Sequence, residues 1–308
     1  MARILAITGA TGRKSGGVLA QRISENIEVI RNMFPDGIRA LVRNSSDTKL
    51  LEKQISGIEI YKGNFIDTVF LENSLKNIDT LLHIVGIRWS DKMIDAAIAC
   101  GVRRIIFVHT TGIYSKYKGA SKDYKRIEPY VIEQCKKNGI VFTILRPTMI
   151  YGTLNDWNII EFIKMVDKFP IMPVVNGARY ELQPVHYKDL GQAYYDVLIN
   201  EETTANRDFN LSGGEPILLR DMLKVIGEKL GKKVRFISCP FPIAYGGAWM
   251  VYLLSFKKVD YRERVQRLCE PRFFSHKEAT EAFGYDPMQF ETGVTDEVNQ
   301  YMKLKGKA

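Results

Sequence analysis

Cysteine is scarce in this chain. Its 308 residues hold four, Cys100, Cys135, Cys239 and Cys269, far apart and without a CxxC pair. That spacing excludes a zinc ribbon and a disulfide framework, and no metal site is expected. No basic segment precedes an apolar run at the N-terminus, whose first residues already read as a strand, so no leader is expected and the cytoplasm is the expected compartment. Internal repeats, low-complexity tracts and linkers are missing too, and the two halves are expected to pack as one unit. The most apolar stretch, residues 240–258, is shorter than the roughly twenty residues of a spanning helix and contains Gly246 and Gly247. Its Trp249, Tyr252, Phe256 and closing lysines suit an interface or a dimer surface. Packing on a lobe is the simpler expectation, so membrane contact is not expected and a homodimer stays open. Acid is in short supply: 35 Asp and Glu face 44 Lys and Arg, a formal charge of +9. That balance suits an anionic ligand, but without an arginine-rich or exposed aromatic motif the expected partner is a small molecule and not nucleic acid.

What is present begins at once. Residues 4–7 are apolar and run through Thr8 into a turn containing Gly9, Thr11, Gly12, Arg13, Ser15 and Gly16, followed by an amphipathic helix with Val18, Leu19 and Ile23. A strand buried on both faces must be apolar throughout, and a turn that brings backbone N–H groups to a pyrophosphate must lack the Cβ that would obstruct them. The helix then points its positive end at the phosphates. Further strands are expected at 38–42, 58–62, 80–84, 104–110 and 141–146, with helices at 16–32, 47–51, 70–75, 90–100 and 122–138. This alternation predicts an α/β protein: a doubly wound parallel-sheet (Rossmann) domain over 1–152 and a smaller C-terminal substrate lobe over 153–308, from which 183–200 returns. An acid that would read the ribose of NAD is missing at the end of the second strand, where Arg43 stands. A 2′-phosphate suits Arg43 and Arg13 better, so NADP is the expected cofactor, with NAD possible.

Several segments, in order, carry a resemblance: TGATG, ALVRN, GNFID, IIFVHTTGIY, TILRPTMIYG, QPVHYKDL and NLSGGEPILLRDML. Together they resemble the extended and atypical short-chain dehydrogenase/reductases, with the nucleoside-diphosphate-sugar epimerase/dehydratase and NmrA-like branches nearest. The resemblance implies that Asn64, Ile66 and Asp67 border the adenine, that Val85 and Gly86 line the cofactor, and that Pro147 and Met149 approach the nicotinamide. It also implies an oxidoreductase, epimerase or dehydratase acting on a nucleotide-sugar or similar carbonyl or alcohol, or, as the alternative, a non-catalytic NADP(H)-sensing module.

The catalytic pattern departs from that family. Thr110 and Thr111 occupy the place of its serine or threonine, but its YxxxK spacing, which puts hydroxyl and ammonium on one helical face, does not fall into place. Tyr117 and Lys122 are five apart, about 140° out of alignment on a helix. Counting back from TILRP through Glu128 puts Ala120 at the tyrosine position and Tyr124 at the lysine position. The candidates are therefore Thr111 to position substrate, Tyr124 or Tyr117 to exchange a proton, and Lys122 or Lys125 as supporting cation. His186 reads as packed and not catalytic. Asp189 reads as the cap of a helix over 190–199, and Ser275 with Glu278 as a capping box.

Overall fold

The computed structural model describes residues 2–12, 14–117, 119 and 121–306. Six strands follow the expected rhythm: β1 Ile4–Thr8, β2 Gly37–Val42, β3 Glu59–Lys62, β4 Ile78–His83, β5 Arg104–Val108 and β6 Val141–Pro147. With Arg207–Leu211 they form one seven-stranded sheet, ordered Arg207–Leu211, β6, β5, β4, β1, β2, β3, and every pairing in it is parallel. Alternate residues of β1 serve opposite layers: Leu5 and Ile7 join one apolar cluster with Leu19 and Ile23, while Ile4 and Ala6 join the other with Met93 and Phe107. Burying each of the larger of these side chains contributes about 1.5–3 kcal/mol. A third cluster, with Ile159, Ile163, Met172, Leu223, Ile226 and Val298, is the core of the C-terminal lobe.

More of the second half returns to the sheet than 183–200. The helix Tyr187–Ile199 lies so close to the helix α1 Ser15–Glu25 that a Cβ on Gly191 would stand 2.4 Å from the Val18 Cβ. Arg207–Leu211 is an unexpected edge strand: only Phe209 and Leu211 are apolar and buried, so RDFNL carries too weak a pattern to read as buried sheet.

Four other expectations are corrected. The helix expected over 16–32 is two, α1 and α2 Ile27–Met33, because Asn26 leaves the helical region at φ -120°, ψ 35°, where its side-chain amide, like its backbone N–H, donates to Arg22 O. Asp189 is not a cap. His186 holds that place, its Nδ1 accepting from Lys188 N at 3.4 Å, while Asp189 accepts from Met288 N at 3.1 Å. The helix near Ser275 starts at Lys277, with His276 at the cap position; Ser275 Oγ accepts from Lys277 N instead of forming the capping box with Glu278. Finally, residues 241–254 do form a helix, but of Phe241–Leu254 only Ala248 is fully buried, so the expected packing on the lobe is confined to one side, where Trp249 and Tyr252 meet Arg262.

Candidate functional site

The turn after β1 is built from close backbone approaches. Gly9 takes φ 79°, Gly12 N donates to Gly9 O at 3.1 Å, and a Cβ on Gly16 would stand 2.1 Å from that same oxygen. The close-packing place in the glycine pattern therefore belongs to Gly16, one residue after Ser15. Among the described residues no side chain caps the first turn of α1, and no acid lies in it. Gly17 N and Val18 N donate to Lys14 O, so the N–H groups ahead of them are the ones placed to meet an anion such as a dinucleotide pyrophosphate. Lys14 bonds Asn155 O (2.6 Å), tying this turn to the lobe. Arg13 lies outside the described residues.

The remaining cofactor candidates gather at the carboxyl ends of the neighbouring strands. Arg43, directly after β2, is exposed. Asn64 Oδ1 accepts from Ile66 N (3.1 Å) and Asp67 Oδ1 from Val69 N and Phe70 N, so both side chains hold the loop that presents Ile66. The Asp67 carboxylate is thereby engaged as a helix cap, a task that the resemblance did not imply. Ile66 and Val85 expose apolar side chains and Gly86 takes φ 104°, which suits a flat ring lying against this edge.

Beyond the turn opens a cleft of about 740 Å³ between sheet and lobe. Ser15, Thr111, Tyr114, Tyr117 and Met149 line it from the nucleotide side; Asn158, Gln183, Arg267, Arg272 and Phe274 line it from the lobe. Thr111 is buried and donates to Pro147 O (3.2 Å), leaving lone pairs for a substrate hydroxyl. Tyr114 stacks on Phe274 at 5.2 Å and lies under the Arg146 guanidinium, 5.7 Å from the ring centre. Partial burial holds its hydroxyl above the ordinary phenol range despite that cation.

Beneath these residues lies a buried polar network. Glu128 accepts from Arg146 Nη2 (2.7 Å) and bonds His109 Nδ1 (2.8 Å), while His109 Nε2 meets Ser90 Oγ and Arg146 also pairs with Asp208. Burial alone would raise the Glu128 carboxyl, but bonds to His109 and Arg146 bring it below its ordinary value. Burial lowers His109 in spite of Glu128. The network fixes the ends of β5 and β6, and so the backbone carrying Thr111 and Pro147.

The structure separates the tyrosine candidates. Tyr117 reaches the cleft, but Tyr124 is buried among core residues of the helix Ser121–Lys137 and does not line it. Lys122 and Lys125 are exposed and do not line it either. The arrangement expected around Tyr124 is thus not assembled, because its turn of helix faces the sheet.

Sequence reading missed Arg267 and Arg272, which follow no motif. The Nε of each is buried without a hydrogen-bond partner among the described residues. Burial, and secondarily Arg267, depresses Arg272 to about 10. The nearby Glu270 is taken by Ser115 Oγ (2.7 Å) and Lys116 N (2.8 Å). An acidic pair was missed as well. Glu297 accepts from Gly152 N (2.8 Å) and is pushed up to about 9, first by burial and then by Asp156.

A profile described as the NmrA-like family matches residues 1–246. The chain belongs to the NmrA-like family. The NmrA-like chain shares its fold over nearly its whole length with solved structures. One is the NADPH-dependent quinone oxidoreductase QOR2 of Escherichia coli complexed with NADPH, 20% identical, TM-score 0.71, covering 97% of this chain and 99% of that one. Another is the Citrobacter sp. triphenylmethane reductase complexed with NADP(H), 20% identical, TM-score 0.68, covering 95% and 99%. Among curated proteins, it is 26% identical over 106 residues to the mitochondrial NADH dehydrogenase [ubiquinone] 1 alpha subcomplex subunit 9 of Arabidopsis thaliana, spanning 33% of this chain and 25% of that subunit.

Proposed function

We propose that this NmrA-like protein is an NADP-preferring reductase of an anionic carbonyl compound, a nucleotide-sugar or a molecule of similar charge. The observation carrying this reading is the cleft beside the N-terminus of α1, where Thr111, Tyr114 and Tyr117 face Arg267 and Arg272. Glycine backbone and α1 hold the pyrophosphate, and Arg43 takes the 2′-phosphate by a charge-assisted contact. NADPH, when bound, supplies a hydride from nicotinamide C4. Thr111 orients the substrate oxygen, and Tyr114 or Tyr117 gives that oxygen its proton, then regains one from solvent, to which both are open. The arginine pair holds the anionic part of the substrate and shifts the preference away from cations.

The position of Tyr124 favours a second reading, that of an NADP(H) sensor without turnover. The two are separated by incubating the protein with NADPH and a panel of nucleotide-sugars, quinones and small carbonyl compounds, following absorbance and products. Turnover that falls about a hundredfold or more in Tyr114→Phe or Tyr117→Phe, with NADPH affinity kept, supports the reductase. Tight NADPH binding without turnover on any compound supports the sensor.

A further inference from the structure

The helix Phe241–Leu254 presents an apolar face to solvent. Ile243 is 66% exposed, Met250 62% and Leu254 74%, at spacings of seven and four that put them on one side of the helix. Gly246 and Gly247 lie between them, with nothing within 4 Å of a Cβ added at either. At the helix end Phe256 is 87% exposed and, like Lys257, is held in the left-handed region. A helix that is apolar on its solvent side is out of place on a monomer in water. The two-stranded sheet that leads into it adds exposed Ile171 and Ile237.

Charge identifies what covers this face. From residue 232 to 267 there are eight Lys and Arg against only Asp260 and Glu263, a surplus of six of the chain's nine. Lys233, Arg235, Lys257, Lys258 and Arg264 are exposed around the helix. A second copy would bring the same surplus against itself, whereas anionic lipid headgroups would meet it with opposite charge. Trp249 and Tyr252 lie under the Arg262 guanidinium, 4.3 and 3.9 Å from their ring centres, an aromatic and basic mixture suited to the headgroup level. No helix among the described residues is long and apolar enough to cross a membrane, so the helix would lie on the bilayer and not span it.

We propose that the helix Phe241–Leu254 and its basic surround form a docking face for an anionic bilayer surface. The helix Arg262–Leu268, which packs on it, also brings Arg267 to the cleft, so docking would set the cleft beside the membrane.

The test is sedimentation of the purified full chain with phosphatidylcholine vesicles, with and without phosphatidylserine. Pelleting is expected with phosphatidylserine and is expected to fall in high salt. Each lysine near such a surface contributes about a fivefold factor, so reversing Lys257 and Lys258 to Glu should weaken binding by more than about tenfold. Leu254→Glu should weaken it comparably while leaving the thermal midpoint unchanged, because that side chain packs on little. Three results would overturn the proposal: no pelleting of the folded protein, pelleting that Leu254→Glu leaves intact, or a dimer in sedimentation velocity that Leu254→Glu disperses.

Discussion

The carbonyl oxygen of Gly9 occupies the space that a Cβ on Gly16 would need, 2.1 Å away, with the Gly9 carbonyl carbon at 3.1 Å. Both atoms are backbone, so no rotamer change relieves the clash; the N-terminus of α1 must leave β1 and carry its N–H groups with it. Gly16→Ala is expected to cost about 1–3 kcal/mol of stability, as overpacking does, and to weaken NADPH binding by at least about tenfold, about 1.4 kcal/mol. Urea unfolding and a fluorescence titration measure the two, with the exposed Gly246→Ala as control. Unchanged NADPH affinity in Gly16→Ala would remove this turn from the cofactor site.

Arg43 tests the choice of cofactor. If it meets the 2′-phosphate, NADPH binds more tightly than NADH, and Arg43→Asp loses a charge-assisted contact of about 1.5–3 kcal/mol toward NADPH only. Titrating both cofactors against both proteins checks this. Equal affinities in the unaltered protein would refute the preference for NADP.

Local chemistry explains what the sequence revealed. β1 and β5 each carry an unbroken run of four apolar residues, Ile4 to Ile7 and Ile105 to Val108, because both faces are buried, and a glycine turn follows the first strand directly, so the sheet and its glycine turn were legible. Arg207–Leu211 was not, since an edge strand needs only alternate apolar residues and RDFNL supplies two. The catalytic region failed for another reason. Counting residues from Glu128 gives the spacing along the helix Ser121–Lys137 but not its rotation, and that rotation sends Tyr124 into the core. Arg267 and Arg272 come from a lobe without a repeated motif, and only folding brings them opposite Tyr114.

Glu297 sets a pH dependence. Its carboxyl is raised from 4.5 to about 9 in the folded chain, by burial and by Asp156, with Lys14 acting in the opposite sense. The folded state therefore keeps a proton that the unfolded state releases, and stability falls as pH rises from about 4.5 toward 9. Asp156, also raised by burial, adds to the same slope. Glu297→Gln retains an oxygen for Gly152 N and should flatten the slope while raising stability at alkaline pH. Urea midpoints across this range decide it. Parallel curves for the two proteins would mean that Glu297 is ionised in the fold.

Arg267 and Arg272 carry the last prediction. Two partly buried guanidiniums, which form no ion pair among the described residues and are only partly compensated by Glu270, repel each other and lose hydration, so the unliganded protein bears a cost that an anion in the cleft would offset. Replacing Arg272 by Met removes one of these charges while keeping much of the side-chain volume. The variant is expected to be as stable as the unaltered chain or more so, and to lose its response to anions. Inorganic pyrophosphate should raise the thermal midpoint of the unaltered protein, and less in Arg272→Met or Arg267→Met. NADPH must be present at saturation, so that α1 is already occupied and the cleft alone responds. For turnover, the arginine variants should raise KM for an anionic carbonyl substrate and leave that for a neutral quinone within about twofold, since uniform binding of the charged group is what they remove. If neutral and anionic substrates suffer alike, or if pyrophosphate stabilises Arg272→Met as it does the unaltered chain, the pair does not select the substrate by charge.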